Sequence, residues 1–168
     1  MFAFGVGGTG GGGAPPGAMP VTARANAGPP AAAQPYSMQR DGDVVKLADA
    51  RTQTEVWIMT SVGNIAYRMT VKGHDVLRWP HPSIEAFKAA PNNIGIPFMG
   101  PWINRLDEQA FYANGTRYPF DMTLGNVRGA IPIHGFITTT DKWQLVATGG
   151  GRESAWATSR VGFSKQPG

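Results

Sequence analysis

The chain has 168 residues and no cysteine, with 15 Lys and Arg against 11 Asp and Glu for a formal charge of +4. That length suits a single folded domain, and the lack of cysteine excludes disulfides, thiol catalysis and cysteine-ligated zinc. Basic residues are scattered singly instead of being gathered on one face, which argues against a nucleic-acid partner; no apolar run approaches the ~20 residues that cross a bilayer, which argues against a membrane partner.

Residues 1–35 are dominated by Gly, Ala and Pro and include the run GGTGGGG at 7–13. Such a segment has little apolar surface to offset the entropy of ordering its backbone, so it reads as a disordered tail with folding beginning near Tyr36. Ala31-Ala32-Ala33 before Gln34 has the small residues of a signal cleavage site, but no charged segment and no continuous apolar segment precedes it. Localisation therefore stays open: cytoplasmic by default, with periplasmic or secreted placement as alternatives.

From residue 43 the pattern becomes short alternating runs bounded by turn residues. Strands are expected over 44–47, 55–61, 64–71, 75–79, 109–113, 116–120, 131–138, 142–148 and 155–163, separated by Asp41-Gly42, Val62-Gly63, Lys72-Gly73, Asn114-Gly115 and the glycines at 149–151. Many short strands at this spacing predict an all-β, antiparallel sandwich spanning 36–168. In QAFYANGTRYPF, two β-prone runs flank Asn114-Gly115, a pair suited to a two-residue type I′ hairpin; Phe111 and Ala113 alternate with Tyr112, and Tyr118 and Phe120 with Pro119, so one face can be buried. Asn114-Gly115-Thr116 also fits a glycosylation sequon, although its place in a tight turn favours the turn reading. Only 83–90 looks helical, with Ser83 as N-cap and Ile84 and Phe87 three apart.

The three histidines, His74, His81 and His134, show no helical or short-loop pair spacing and the carboxylates are dispersed, so no metal site is expected. His74 reads as a solvated strand start and His81, in Trp-Pro-His-Pro, as a surface turn. His134 sits in IPIHGF, on an apolar run with a glycine behind it. It is either a core histidine satisfied by a carbonyl or a ligand-facing imidazole beside a closely approached backbone.

Asn104 and Arg105 end the apolar run PFMGPWINRL. One account is a loop ion pair between Arg105 and Asp107 or Glu108, worth little in water. The other is a polar recognition pair: Arg105 holds a planar fork of donors suited to vicinal hydroxyls, and Asn104 offers a donor and an acceptor. Trp79 and Trp102 carry flat apolar faces of the kind on which sugar rings stack, though a packed core is the commoner fate of tryptophan.

The order GIPFMGPWINRL, QAFYANGTRYPF, IPIHGF, DKWQLV resembles the N-terminal half of the aldose 1-epimerases, or galactose mutarotases, over residues 43–163. The resemblance implies an antiparallel β-supersandwich that binds a hexose of glucose or galactose type in an open cleft with neither metal nor organic cofactor. It implies that Asn104 and Arg105 hold ring hydroxyls, and that His134 sits near the ring oxygen in a supporting catalytic role. It further implies acid/base interconversion of α and β anomers: the ring oxygen is protonated, the anomeric hydroxyl loses its proton, the ring opens, C1–C2 rotates and the ring recloses.

In the family the general-acid histidine follows the His-Gly pair at some distance and the base glutamate lies near the C-terminus. No histidine follows His134 here, and Glu153, the last acid, matches no catalytic motif. We therefore expect an N-terminal portion of a mutarotase that carries sugar-binding groups but not the principal acid and base, inactive by itself. Its uncovered sheet edges and apolar faces favour self-association. The alternatives are a non-catalytic carbohydrate-binding module of the same fold and a hexose-6-phosphate mutarotase, for which Arg105 alone supplies too little positive charge.

Overall fold

A computed structural model describes residues 34–123 and 126–162, within the unit formed by residues 33–168. Almost all of the expected tail over 1–35, the small residues at 31–33 and the end of the last expected strand lie outside the described residues.

The described part is all-β with antiparallel sheets, one short α-helix and a single 3-10 turn at Asp107–Gln109. Five strands, β1 (Tyr36–Asp41), β2 (Val44–Asp49), β3 (Thr54–Met59), β4 (Ile65–Val71) and β5 (His74–Asp75), form one sheet in chain order. A two-residue turn joins Val71 to His74 through Lys72 and Gly73, both at positive φ (50° and 80°), the backbone of a type I′ hairpin. β1 is absent from the expected strands. YSMQRD carries few β-prone residues, and it becomes a strand because it pairs along its whole length with β2, from Tyr36 opposite Asp49 to Asp41 opposite Val44. On the next pairs, Lys46, Trp57 and Arg68 are register neighbours. Both cations lie over the indole, 5.0 and 4.6 Å from its ring centroid.

The core gathers at one end of this sheet. Met59, Val62, Ile65 and Phe87 form a buried cluster, flanked by Tyr67, Trp79, Ile84 and Ile94. Phe87 arrives on α1 (Ile84–Ala89), which starts as expected: Ser83 Oγ accepts from Ala86 N at 3.1 Å. Lys88 on the same helix reaches Asp43 at 2.6 Å, and Asp43 also accepts from Ser61 Oγ, so one carboxylate ties helix, turn and sheet. Burial alone would raise the Asp43 pKa, but the hydrogen bonds from Lys88 and Ser61 outweigh it and hold the group below its ordinary 3.8. His81 is not a free surface side chain. It is half-buried, packs on Trp79 and Phe87 at 5.1 and 5.2 Å, and meets Asn92 Oδ1 at 3.3 Å. His74 is the exposed start of β5, as expected.

Three further hairpins follow. β6 (Ala110–Ala113) and β7 (Thr116–Pro119) join through Asn114 and Gly115 at φ 50° and 76°, the expected type I′ turn. The expected buried face does not form: only Ala110 is buried, and the register partners Phe111 and Tyr118 stack on each other at 5.0 Å while both remain exposed. β8 (Val127–Arg128) pairs with β9 (Ile131–Pro132), and β10 (Gln144–Gly150) with β11 (Ala155–Arg160). This last hairpin packs against β1 and β2, with Tyr36 N donating to Gly151 O at 3.2 Å.

Two expected strands are largely lost. The run 75–79 is a strand only at its first residue, with one further bond from Val76 N to Met69 O at 2.9 Å, and the run 131–138 is a strand only at Ile131–Pro132. Beyond Pro132 the backbone turns left-handed at His134 and Gly135. A period-two apolar pattern cannot distinguish this segment from a strand, because its conformation is set by a distant partner.

Candidate functional site

That partner is the segment around Asn104. The chain leaves the sheet by Ile96, which exchanges backbone hydrogen bonds with Ala66 of β4 at 2.9 and 3.4 Å, and then runs along residues 132–137. His134 N donates to Asn104 O at 2.9 Å, Leu106 N to Pro132 O at 3.1 Å, and Phe136 N to Gly100 O at 2.8 Å. Bridges form between Gly100 and Gly135 and between Arg105 and Ile133. The two segments singled out in the sequence, some thirty residues apart, are thus zipped into one backbone unit.

Gly135 is what permits the contact. A Cβ there would lie 1.7 Å from Gly100 O, and its φ is +61°. His134 adopts φ 60° without being glycine, a conformation that costs an L-residue ~1–2 kcal/mol. It is held there by its N–H bond to Asn104 O, by Thr138 Oγ1 donating to His134 O at 3.1 Å, and by Asn126 Nδ2 donating to Gly135 O at 2.8 Å. A strained residue held on several sides is a common property of binding and catalytic positions.

The side chains divide in two groups. Asn104 and Arg105 are exposed, and among the described residues neither side chain has a hydrogen-bond or ion-pair partner. The loop ion pair with Asp107 or Glu108 does not form, and the Glu108 carboxylate accepts from Tyr112 OH at 2.7 Å instead. His134 is half-buried, and its Nδ1 lies 3.1 Å from Asn93 Nδ2. Of the two tryptophans, Trp79 is absorbed into the core cluster. Trp102 meets Phe120 and Phe136 edge-on at 5.1 and 6.0 Å, with its Nε1 buried and unpaired among the described residues. Both are packing residues, so neither stands out as an open stacking platform.

The result is an open surface site with one permanent cation, one amide and one imidazole. Three cavities of about 370, 390 and 270 Å3 lie along the sheet and the C-terminal hairpin, and none has Asn104, Arg105 or His134 in its lining. Three residues that shape it carried no signal in the sequence: Asn93 reads as part of a Pro-Asn-Asn loop, and Asn126 and Thr138 act only through contacts made after folding. Among the described residues no group of three or more His, Asp and Glu side chains could hold a metal ion, and no helix is long and apolar enough to cross a membrane.

Compared with known proteins, the chain matches no family model and no curated protein sequence. What the site can bind is set by its own side chains.

Proposed function

We propose that this site binds an aldohexose, and that the chain is the N-terminal portion of a mutarotase-type β-supersandwich whose complete form interconverts α and β anomers. The observation that carries the reading is the joining of Asn104-Arg105 to His134-Gly135 in one backbone unit, with the Asn104 and Arg105 side chains unpaired among the described residues. Arg105 donates only, Asn104 donates and accepts, and His134 supplies a ring nitrogen, a set suited to neighbouring hydroxyls and a ring oxygen.

The chemistry asks for an acid at the ring oxygen and a base at the anomeric hydroxyl. Among the described residues His134 is paired with an amide and backbone groups and not with a carboxylate. In this reading it orients the sugar in a supporting role, and the principal acid and base are assigned to no residue of this chain. The same lack of a carboxylate partner favours the second reading, a binding module of the same fold with no turnover.

Calorimetric titration with glucose and galactose tests the proposal. Saturable binding that Arg105→Ala weakens about ten- to hundredfold is expected, since a hydrogen bond to a charged group contributes ~1.5–3 kcal/mol. Binding unaffected by the substitution would remove Arg105 from the site and with it the sugar reading.

A further inference from the structure

We infer that Asn93 is a positioning residue that holds His134 with its proton on Nε2, so that the imidazole meets its ligand as a hydrogen-bond donor. The inference rests on the sugar reading for the nature of that ligand, but not for the tautomer itself.

The amide orientation is fixed by a second contact. Asn93 Nδ2 lies 3.1 Å from His134 Nδ1 and 3.7 Å from Met99 Sδ. A thioether sulfur only accepts, so the edge of the amide facing both atoms is its NH2 group, with one hydrogen for each. His134 Nδ1 must then accept, and in the neutral ring the proton resides on Nε2. Nε2 has no partner among the described residues, and the His134 backbone is clamped on both sides by Asn104 O and Thr138 Oγ1. The ring is thus held by its backbone, set by Asn93, and open at its donor end.

This has a consequence for selection of the ligand. With Arg105 also purely a donor, two groups of the site require oxygens with free lone pairs, and Asn104 is the one side chain of the three named that can receive a hydroxyl proton. An ether-type ring oxygen, which accepts and never donates, is the natural partner of His134 Nε2–H. Asn93 lies between α1 and the bridge of Ile96 to Ala66 of β4, so the tautomer is supplied from outside the two paired segments that carry Asn104, Arg105 and His134.

The test is the nitrogen NMR spectrum of the His134 ring at alkaline pH, where the imidazole is neutral, in wild type, Asn93→Ala and Asn93→Asp. In wild type the proton-bearing resonance should belong to Nε2. Asn93→Ala should reduce that bias two- to tenfold, the range one neutral hydrogen bond supplies. Asn93→Asp, nearly the same shape but only an acceptor, should invert it and place the proton on Nδ1. A protonated Nδ1 in wild type, or the wild-type pattern retained in Asn93→Asp, would overturn the inference. Glucose titrations of the same samples separate the two claims. Weaker binding in Asn93→Asp supports both, whereas an inverted tautomer with unchanged sugar affinity overturns the role of Asn93 in presenting a donor to the ligand. If wild type shows the Nε2 proton but binds no sugar, the sugar reading fails while the tautomer assignment stands.

Discussion

Replacing Gly135 with Ala should undo the junction on which the site depends. The added Cβ falls 1.7 Å from Gly100 O and 2.8 Å from Pro101 N, both backbone atoms that cannot swing aside, and φ is +61°. Left-handed strain for an L-residue contributes ~1–2 kcal/mol. Relieving the clash means parting the two segments, which loses the bonds from Phe136 N to Gly100 O and from His134 N to Asn104 O at ~1 kcal/mol each. The sum is about 3–4 kcal/mol, a large fraction of the ~5–15 kcal/mol that stabilises a typical domain. Gly42→Ala is the control: its φ is +56°, but an added Cβ meets nothing within 4 Å, so it carries the strain alone. In urea titrations Gly135→Ala should therefore lose ~2 kcal/mol more than Gly42→Ala. Equal losses would show that the close approach of Gly135 to Gly100 does not exist in solution, and the assembly of Asn104, Arg105 and His134 would go with it.

Other outcomes follow from the same structure. Phe87→Ala, which empties a fully buried position in the core, should cost ~3–5 kcal/mol in urea unfolding, and a loss under 1 kcal/mol would show that α1 does not seal the sheet. Asp43, held below its ordinary value, binds fewer protons folded than unfolded. Its stabilisation is therefore present above about pH 4 and is lost as pH falls through the folded value. Asp43→Asn should lower stability at neutral pH and flatten its acid dependence; a slope between pH 4 and pH 2 identical to wild type would contradict the Lys88–Asp43 tie. Ile103, Tyr112, Phe98 and Phe111 are 73, 61, 51 and 51 % exposed, so sedimentation velocity should show association that grows with concentration, and a monomer at every concentration would contradict it. Polarimetry of freshly dissolved α-glucose should show no acceleration by this chain, and clear acceleration would refute the supporting role given to His134.

Local signals were legible wherever local chemistry decides. Asn114-Gly115 gave its hairpin and Ser83 its cap, because positive φ and a free N–H are satisfied within four residues. β1 and the segment after Pro132 were not legible, because one is a strand only through its pairing with β2 and the other ceases to be one only through Gly100. The hairpin of β6 and β7 shows the same limit from the other side: its turn forms as expected and sets Phe111 opposite Tyr118, but no element covers them in the described chain. At the site, Asn104, Arg105 and His134 could be picked out as residues out of keeping with apolar surroundings. Asn93 could not, since its contact with His134 spans 41 positions and leaves no periodic trace.

If the Asn104-Arg105 and His134-Gly135 segments form one aldose site, a bound sugar perturbs both together. Residue-resolved amide and side-chain NMR during titration with galactose and glucose tests it most directly. Saturable shifts should concentrate at Asn93, Asn104, Arg105 and His134 and disappear in Arg105→Ala, with Trp57 and the rest of the β1–β5 sheet unmoved. Shifts confined to the sheet, or none at sugar concentrations that saturate a millimolar site, would contradict it.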